Sequence, residues 1–344
     1  MANKKMKIGI LSAGGDCPGI NAAIRGVGKT AIVQYGMEVI GISNGFSGLI
    51  DMTTEPLTED SLSGILTLGG TILGTSRMKP FKQQAGDTVD DKPQVIKENY
   101  EKLGLDALVC IGGNGTQKTA NLLYKEGLNI VGLPKTIDND VWGTDVTFGF
   151  DSAVNIATDA IDRLHTTANS HKRVMVIEVM GHNAGWLALY SGLAAGGDII
   201  LLPELDYDMD IVAKNLLSRA EKGKPYSIVV VGEGIKVPNK KNPARYIAKQ
   251  IQEKTGLETR ETILGYIQRG GSPSPADRIL ATRYGAYAAQ LISEGKFGTM
   301  VSLKQGQITS VPLSDVGGKT QLIEEGNRLV KKARNMGVCF GDNK

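Results

Sequence analysis

The chain has 344 residues, 41% of them apolar, enough for two ordinary α/β domains. Charged residues make up 22% and the formal net charge is +3, too small a bias to imply nucleic acid or a membrane surface as a partner. Three scattered cysteines (Cys17, Cys110 and Cys339) argue against a disulfide framework and for a reducing compartment, and His165, His171 and His182 lack zinc-ligand spacing.

The first residues lead directly into an apolar run at 8–11, too short for a signal peptide, and no stretch approaches membrane-spanning length. A cytoplasmic location is the expectation. Nearly continuous apolar runs at 8–11, 107–111, 130–133, 174–179, 199–202 and 228–231 predict strands buried on both faces of parallel sheets. Amphipathic stretches such as 21–33 and 151–164 predict crossover helices, and the alternation predicts doubly wound α/β sheets. Glycine, 44 residues in all, gathers where strands should end, which is where open α/β sheets bind ligands.

Three strand-end turns carry candidate chemistry. Ser12-Ala13-Gly14-Gly15-Asp16-Cys17-Pro18-Gly19-Ile20-Asn21 follows the first strand; its glycines let backbone N–H groups approach phosphate oxygens at a helix start. A tight turn is an equally good reading of it. Gly112-Gly113-Asn114-Gly115-Thr116 reads as a triphosphate-binding turn without choosing among kinases. Pro134-Lys135-Thr136-Ile137-Asp138-Asn139-Asp140 clusters two carboxylates, an amide and a hydroxyl, so that one acid can accept a hydroxyl proton while its neighbours orient the site or support Mg²⁺. Further on, Arg260 and Arg269 can each make forked hydrogen bonds to phosphate.

From 8 to about 277 the sequence closely resembles the 6-phosphofructokinase family, in a bacterial branch that is ATP-dependent or mixed and related to the pyrophosphate-dependent enzymes. The resemblance rests on ordered motifs: Gly14-Gly15-Asp16-Cys17-Pro18-Gly19-Ile20-Asn21-Ala22, Leu73-Gly74-Thr75-Ser76-Arg77, the Gly112 turn, Thr136-Ile137-Asp138-Asn139-Asp140 and Gln268-Arg269-Gly270-Gly271-Ser272-Pro273. It implies two Rossmann-like three-layer domains with mostly parallel sheets and an active site in the cleft between them. The donor-binding domain would hold 1–149 plus about 268–310, and the sugar-phosphate domain 150–267 plus about 311–344.

The implied activity is phosphorylation of fructose 6-phosphate at its 1-hydroxyl by ATP with Mg²⁺. Asp138 would be the general base, with Thr136, Arg77 and His182 completing the catalytic set. Gly14, Arg77, Met78, Gly113, Asn114, Gly115 and Thr116 would hold the donor. Thr136, Ile137, Asp138, Arg173, Met180, Gly181, His182, Glu233, Arg260, Tyr266, Ile267, Gln268 and Arg269 would hold the sugar phosphate. Arg173 and Arg260 fall at positions that the family lends to a neighbouring subunit, implying a homo-oligomer, dimer or tetramer.

Donor choice turns on two positions. A carboxylate at 115, typical of pyrophosphate users, would crowd and repel the α-phosphate of ATP; Gly115 leaves room. Lys135 points the other way, although it also occurs in an ATP-using branch. Asn114 replaces the usual acid that helps hold Mg²⁺, His182 replaces an arginine near the transferring phosphate, and Tyr266 replaces a histidine of many ATP users. Alternatives are the same reaction with pyrophosphate, a kinase of another sugar phosphate, and a non-catalytic sugar-phosphate sensor.

Overall fold

The structure, a computed structural model, describes residues 5–82, 91–238 and 242–343. In chain order, β1 (Lys7–Ser12), α1 (Ile20–Tyr35), β2 (Glu38–Ile42), α2 (Phe46–Ile50), β3 (Thr54–Pro56), α3 (Lys92–Lys102), β4 (Ala107–Gly112), α4 (Asn114–Lys125) and β5 (Ile130–Pro134) come first. Then follow α5 (Phe150–His171), β6 (Val174–Val179), α6 (Trp186–Ala194), β7 (Ile199–Leu201), α7 (Met209–Glu221), β8 (Ser227–Gly232), α8 (Pro243–Thr255) and β9 (Thr259–Ile263). The chain closes with α9 (Pro275–Ser293), β10 (Thr299–Lys304), β11 (Gln307–Pro312), α10 (Leu313–Val316) and α11 (Arg328–Asn335).

The chain forms two compact α/β units. The first comprises Met1–Thr136, Asp140–Ser152 and Arg269–Thr320; the second comprises Ile137–Asn139, Ala153–Gln268 and Gln321–Lys344. Residues 311–320, expected with the sugar-phosphate half, lie in the first unit because β11 is the antiparallel hairpin partner of β10. Residues 137–139 lie in the second unit, although they follow β5 directly.

The first unit's sheet runs β11-β10-β5-β4-β1-β2-β3, parallel except for its two edge strands. Strands β4 and β5 are buried throughout, as apolar runs covered on both faces must be. The chain moves outward from β1 to β2 and later returns to β4 on the other side, so the strand order reverses between β1 and β4. Register puts Ser12 beside Ile111, and Gly112 beside Pro134. The three glycine or acidic turns therefore leave adjacent strands at one edge, where α/β sheets take ligands.

The second unit's sheet, β7-β8-β6-β9, is wholly parallel. Its core joins Val174, Val176, Ile199, Leu201, Val229 and Val231 to helix residues such as Val212, Leu216, Ile247 and Ile251. Helix α5 outruns the expected 151–164, because Ala153, Ala157, Ile161 and Ala168 keep one face buried to its end. Among the described residues, no helix is long and apolar enough to cross a membrane.

Candidate active site

In the first unit, the turn after β1 is fastened from several sides. Gly14, at φ +88°, donates its N–H to the Ser76 carbonyl (2.9 Å), and Thr75 Oγ1 donates to the Gly14 carbonyl (2.8 Å). Ser12 Oγ donates to the Gly74 carbonyl (2.9 Å). The segment that launches Arg77 is thus laced to the glycine turn; Arg77 itself is exposed, and Met78 packs partly against the core.

The second turn caps α4, with Gly113 as N-cap, and leaves backbone N–H groups at a helix start with their positive potential. A Cβ placed on Gly115 would meet nothing within 4 Å. Thr116 was expected to hold the donor, but its hydroxyl is buried and donates to the Ala13 carbonyl (3.3 Å). Fully buried Gln117, which the sequence reading passed over, donates to the Gly112 and Leu133 carbonyls, 2.8 Å each, and fixes the β4 and β5 ends together.

Two cations converge on Gly15. Lys135 is 3% exposed and its Nζ donates to the Gly15 carbonyl. Arg269 lies against the same glycine, close enough that a Cβ at 15 would come within 2.5 Å of the guanidinium. Arg269 was expected with the sugar phosphate; here it packs on the first unit's turn. Burial pushes the adjacent Cys17 thiol up to about 12, so it is a neutral core group and no nucleophile.

Thr136 closes β5's turn, its carbonyl accepting from Thr147 Oγ1 (2.8 Å). In the second unit, Ile137 is buried, Asp138 is half-buried, and Asn139 adopts the left-handed region at φ +51°. At the carboxyl end of that unit's sheet, a cavity of about 160 Å³ is lined by Glu178, Val179, Met180, Glu233, Ile263, Gly265 and Tyr266. Beside it His182 holds φ +52°, an unusual conformation for a non-glycine residue. Its N–H donates to Glu233 Oε1 at 2.8 Å, and a Cβ on Gly234 would stand 1.9 Å from its carbonyl. The His182 side chain is exposed, next to buried Gly181.

Gln268 was expected with the sugar phosphate. It is fully buried, accepting from the Met180 N–H (3.3 Å) and donating to the Gly265 carbonyl (3.0 Å). Tyr266 and Ile267 are open, at 73% and 59% exposure. Arg173 and Arg260 share one carboxylate, Glu258 Oε1, at 2.9 and 2.7 Å. The hydrogen bond from Arg173 holds the Glu258 carboxyl below the usual carboxylate range. Their pair sits at the amino-terminal end of the sheet, where Val174 is beside Thr259. Within one chain, the length of β6, about 20 Å, separates it from Met180 and Glu233 at the other end.

The phosphofructokinase family model matches residues 7–292. The chain belongs to the phosphofructokinase family. It is therefore an enzyme, a phosphotransferase. ATP-dependent 6-phosphofructokinase 3 of Bacteroides thetaiotaomicron is 62% identical over 336 residues, 98% of this chain and all of that one. The ATP-dependent 6-phosphofructokinase of Spirochaeta thermophila is 56% identical over 358 residues, 97% of each chain. The solved phosphofructokinase of Saccharomyces cerevisiae superposes with a TM-score of 0.83 at 32% identity, covering 91% of this chain and 45% of that one.

This phosphofructokinase supplies little of a metal cage. Among the described residues, no cluster of His, Cys, Asp and Glu could hold an ion. Asn114 Oδ1 is buried without a hydrogen-bond partner, however, and is an oxygen suited to a hard cation. The residues fit Mg²⁺ held chiefly by donor phosphates and water. Glu178 had escaped the sequence reading. Burial pushes its carboxyl up, the nearby Glu233 charge adds to that, and the Ala244 N–H it accepts at 2.9 Å opposes it.

Proposed function

We propose that this phosphofructokinase transfers the γ-phosphoryl group of ATP to the 1-hydroxyl of fructose 6-phosphate, with Asp138 as general base. The observation that carries the donor choice is the open space at Gly115, at the start of α4, where a Cβ would meet nothing within 4 Å and the glycine itself brings no side chain to crowd or repel a nucleotide's α-phosphate. The names of the relatives point the same way.

In this reading the Asp138 carboxylate takes the hydroxyl proton as the oxygen attacks phosphorus, and ADP leaves with the bridging oxygen's electrons. Gly113 and Thr116 present backbone N–H groups to the donor phosphates, Gly14 leaves room beside them by lacking a side chain, and Arg77 adds charge as the equatorial oxygens become more negative. Asn114 Oδ1 would help hold Mg²⁺, which would supply neutralisation of the donor's charge when bound. Met180, Gly181, His182, Glu233 and Tyr266 hold the sugar. Arg173 and Arg260, at the far end of their sheet, serve the 6-phosphate of a second copy in a homodimer or homotetramer. Three free cysteines suit a cytoplasmic setting.

A coupled assay with fructose 6-phosphate and Mg²⁺, varying only the donor, tests this. Turnover with ATP and none above background with pyrophosphate is the expected result. Equal or better turnover with pyrophosphate would transfer the donor role to the reading that Lys135 favours.

A further inference from the structure

The loop from Met180 to Gly185 carries the sugar-side residues Met180, Gly181 and His182, and it is held at three points. Met180 N–H rests on Gln268 and His182 N–H on Glu233. At the third, Gly185 N–H meets both carboxylate oxygens of Glu204, at 2.9 and 3.1 Å. Glu204 lies beyond β7, outside the lining of the sugar-side cavity.

Glu204 also reaches the end of the chain. Its Oε1 accepts the Ile323 N–H at 3.0 Å, and Ile323 is 3% exposed. One residue after Gly185, Trp186 Nε1 donates to the Gln321 carbonyl at 2.9 Å. Gly185 is required for this approach, since a Cβ there would stand 2.7 Å from Glu204 Oε2 and 3.0 Å from Leu202. A carboxylate has lone pairs for all three N–H contacts and suits the positive start of α6.

We propose that Glu204 is a positioning residue for the sugar phosphate: with Trp186 it clamps the Met180–Gly185 loop to the segment Gln321–Ile323, and through that clamp sets His182. The inference rests on the assignment of this loop to the acceptor side. Glutamine at 204 keeps the shape but turns an NH₂ group toward an N–H, so one side of the clamp opens. Phenylalanine at 186 keeps an aromatic side chain and removes, with the five-membered ring, the donor to Gln321.

The full chain contains three histidines, so histidine-labelled protein gives a readable NMR spectrum, with His171 as internal reference. Fructose 6-phosphate should move the His182 signal of the wild type. In Glu204→Gln, and independently in Trp186→Phe should the first variant not fold, the His182 signal of the free protein should already be displaced while His171 stays. KM for fructose 6-phosphate should rise about tenfold with KM for ATP unchanged, the effect of losing one charge-assisted hydrogen bond. A purely structural Glu204 would lower thermal stability alone. Wild-type His182 signals and wild-type KM in both variants would overturn the proposal. If fructose 6-phosphate leaves the wild-type His182 signal in place, the acceptor assignment fails instead, and the clamp still stands or falls on the variants' spectra.

Discussion

The side-chain amide of Asn114 donates to a carboxylate oxygen of Asp140 at 2.8 Å and to the Asp140 carbonyl at 3.1 Å. That geometry fixes which way the amide points and leaves Oδ1 facing elsewhere. An aspartate at 114 would replace a donor by a second anion at this distance. Two like charges about 4 Å apart repel by about 4 kcal/mol at an effective dielectric of 20, less when part-exposed. Asn114→Asp should therefore melt several degrees lower without Mg²⁺ and regain most of the loss when Mg²⁺ is added. Calorimetry with and without the ion checks this; a melting temperature indifferent to both changes would contradict it.

Gly115 offers the complementary case. The site is sterically open and lies in the first turn of α4, where an acid is compatible with the helix. Gly115→Asp should fold with nearly unchanged melting temperature. Its KM for ATP should rise about tenfold or more, since one partly screened repulsion of about 1.4 kcal/mol is a factor of ten. Initial-rate kinetics decide it, and an unchanged KM would remove Gly115 from the donor site.

Asp277 ties the start of α9 to the start of α5. Its Oδ2 accepts the Ser152 N–H at 2.8 Å and the Ser152 hydroxyl at 2.6 Å, and the residue is 1% exposed. Burial pushes its pKa up from 3.8 to about 6, against the opposing hydrogen bonds from Ser152. The folded protein therefore holds this proton more tightly than the unfolded chain. Stability from this group is fully present below about pH 4 and lost as pH rises to about 6, a change of about 3 kcal/mol. Urea unfolding of wild type and Asp277→Asn between these limits should show the difference in slope; parallel curves would contradict the assignment.

The strand-end turns were legible because their chemistry is local: an apolar run, then glycines or clustered carboxylates. The edge strands were not. β3 has three residues, β11 is half-buried along its length, and neither shows the apolar run that marks β4 or β5. Roles that depend on a distant partner were also hidden. Gln117 and Glu204 carry no motif, and the motif that holds Gln268 does not show its burial; each matters for the backbone groups that topology brings to it. That Lys135, read for donor choice, and Arg269, read for the sugar phosphate, converge on Gly15 is likewise not visible in the sequence.

The most direct measurement is the turnover of Asp138→Asn with ATP, Mg²⁺ and saturating fructose 6-phosphate, beside its binding of the sugar phosphate. Loss of a general base should lower kcat by about 10²- to 10⁴-fold, with sugar-phosphate affinity within about threefold of the wild type. A variant that folds, binds and turns over at the wild-type rate would contradict the assignment of the proton acceptor, and with it the proposed reaction at this site.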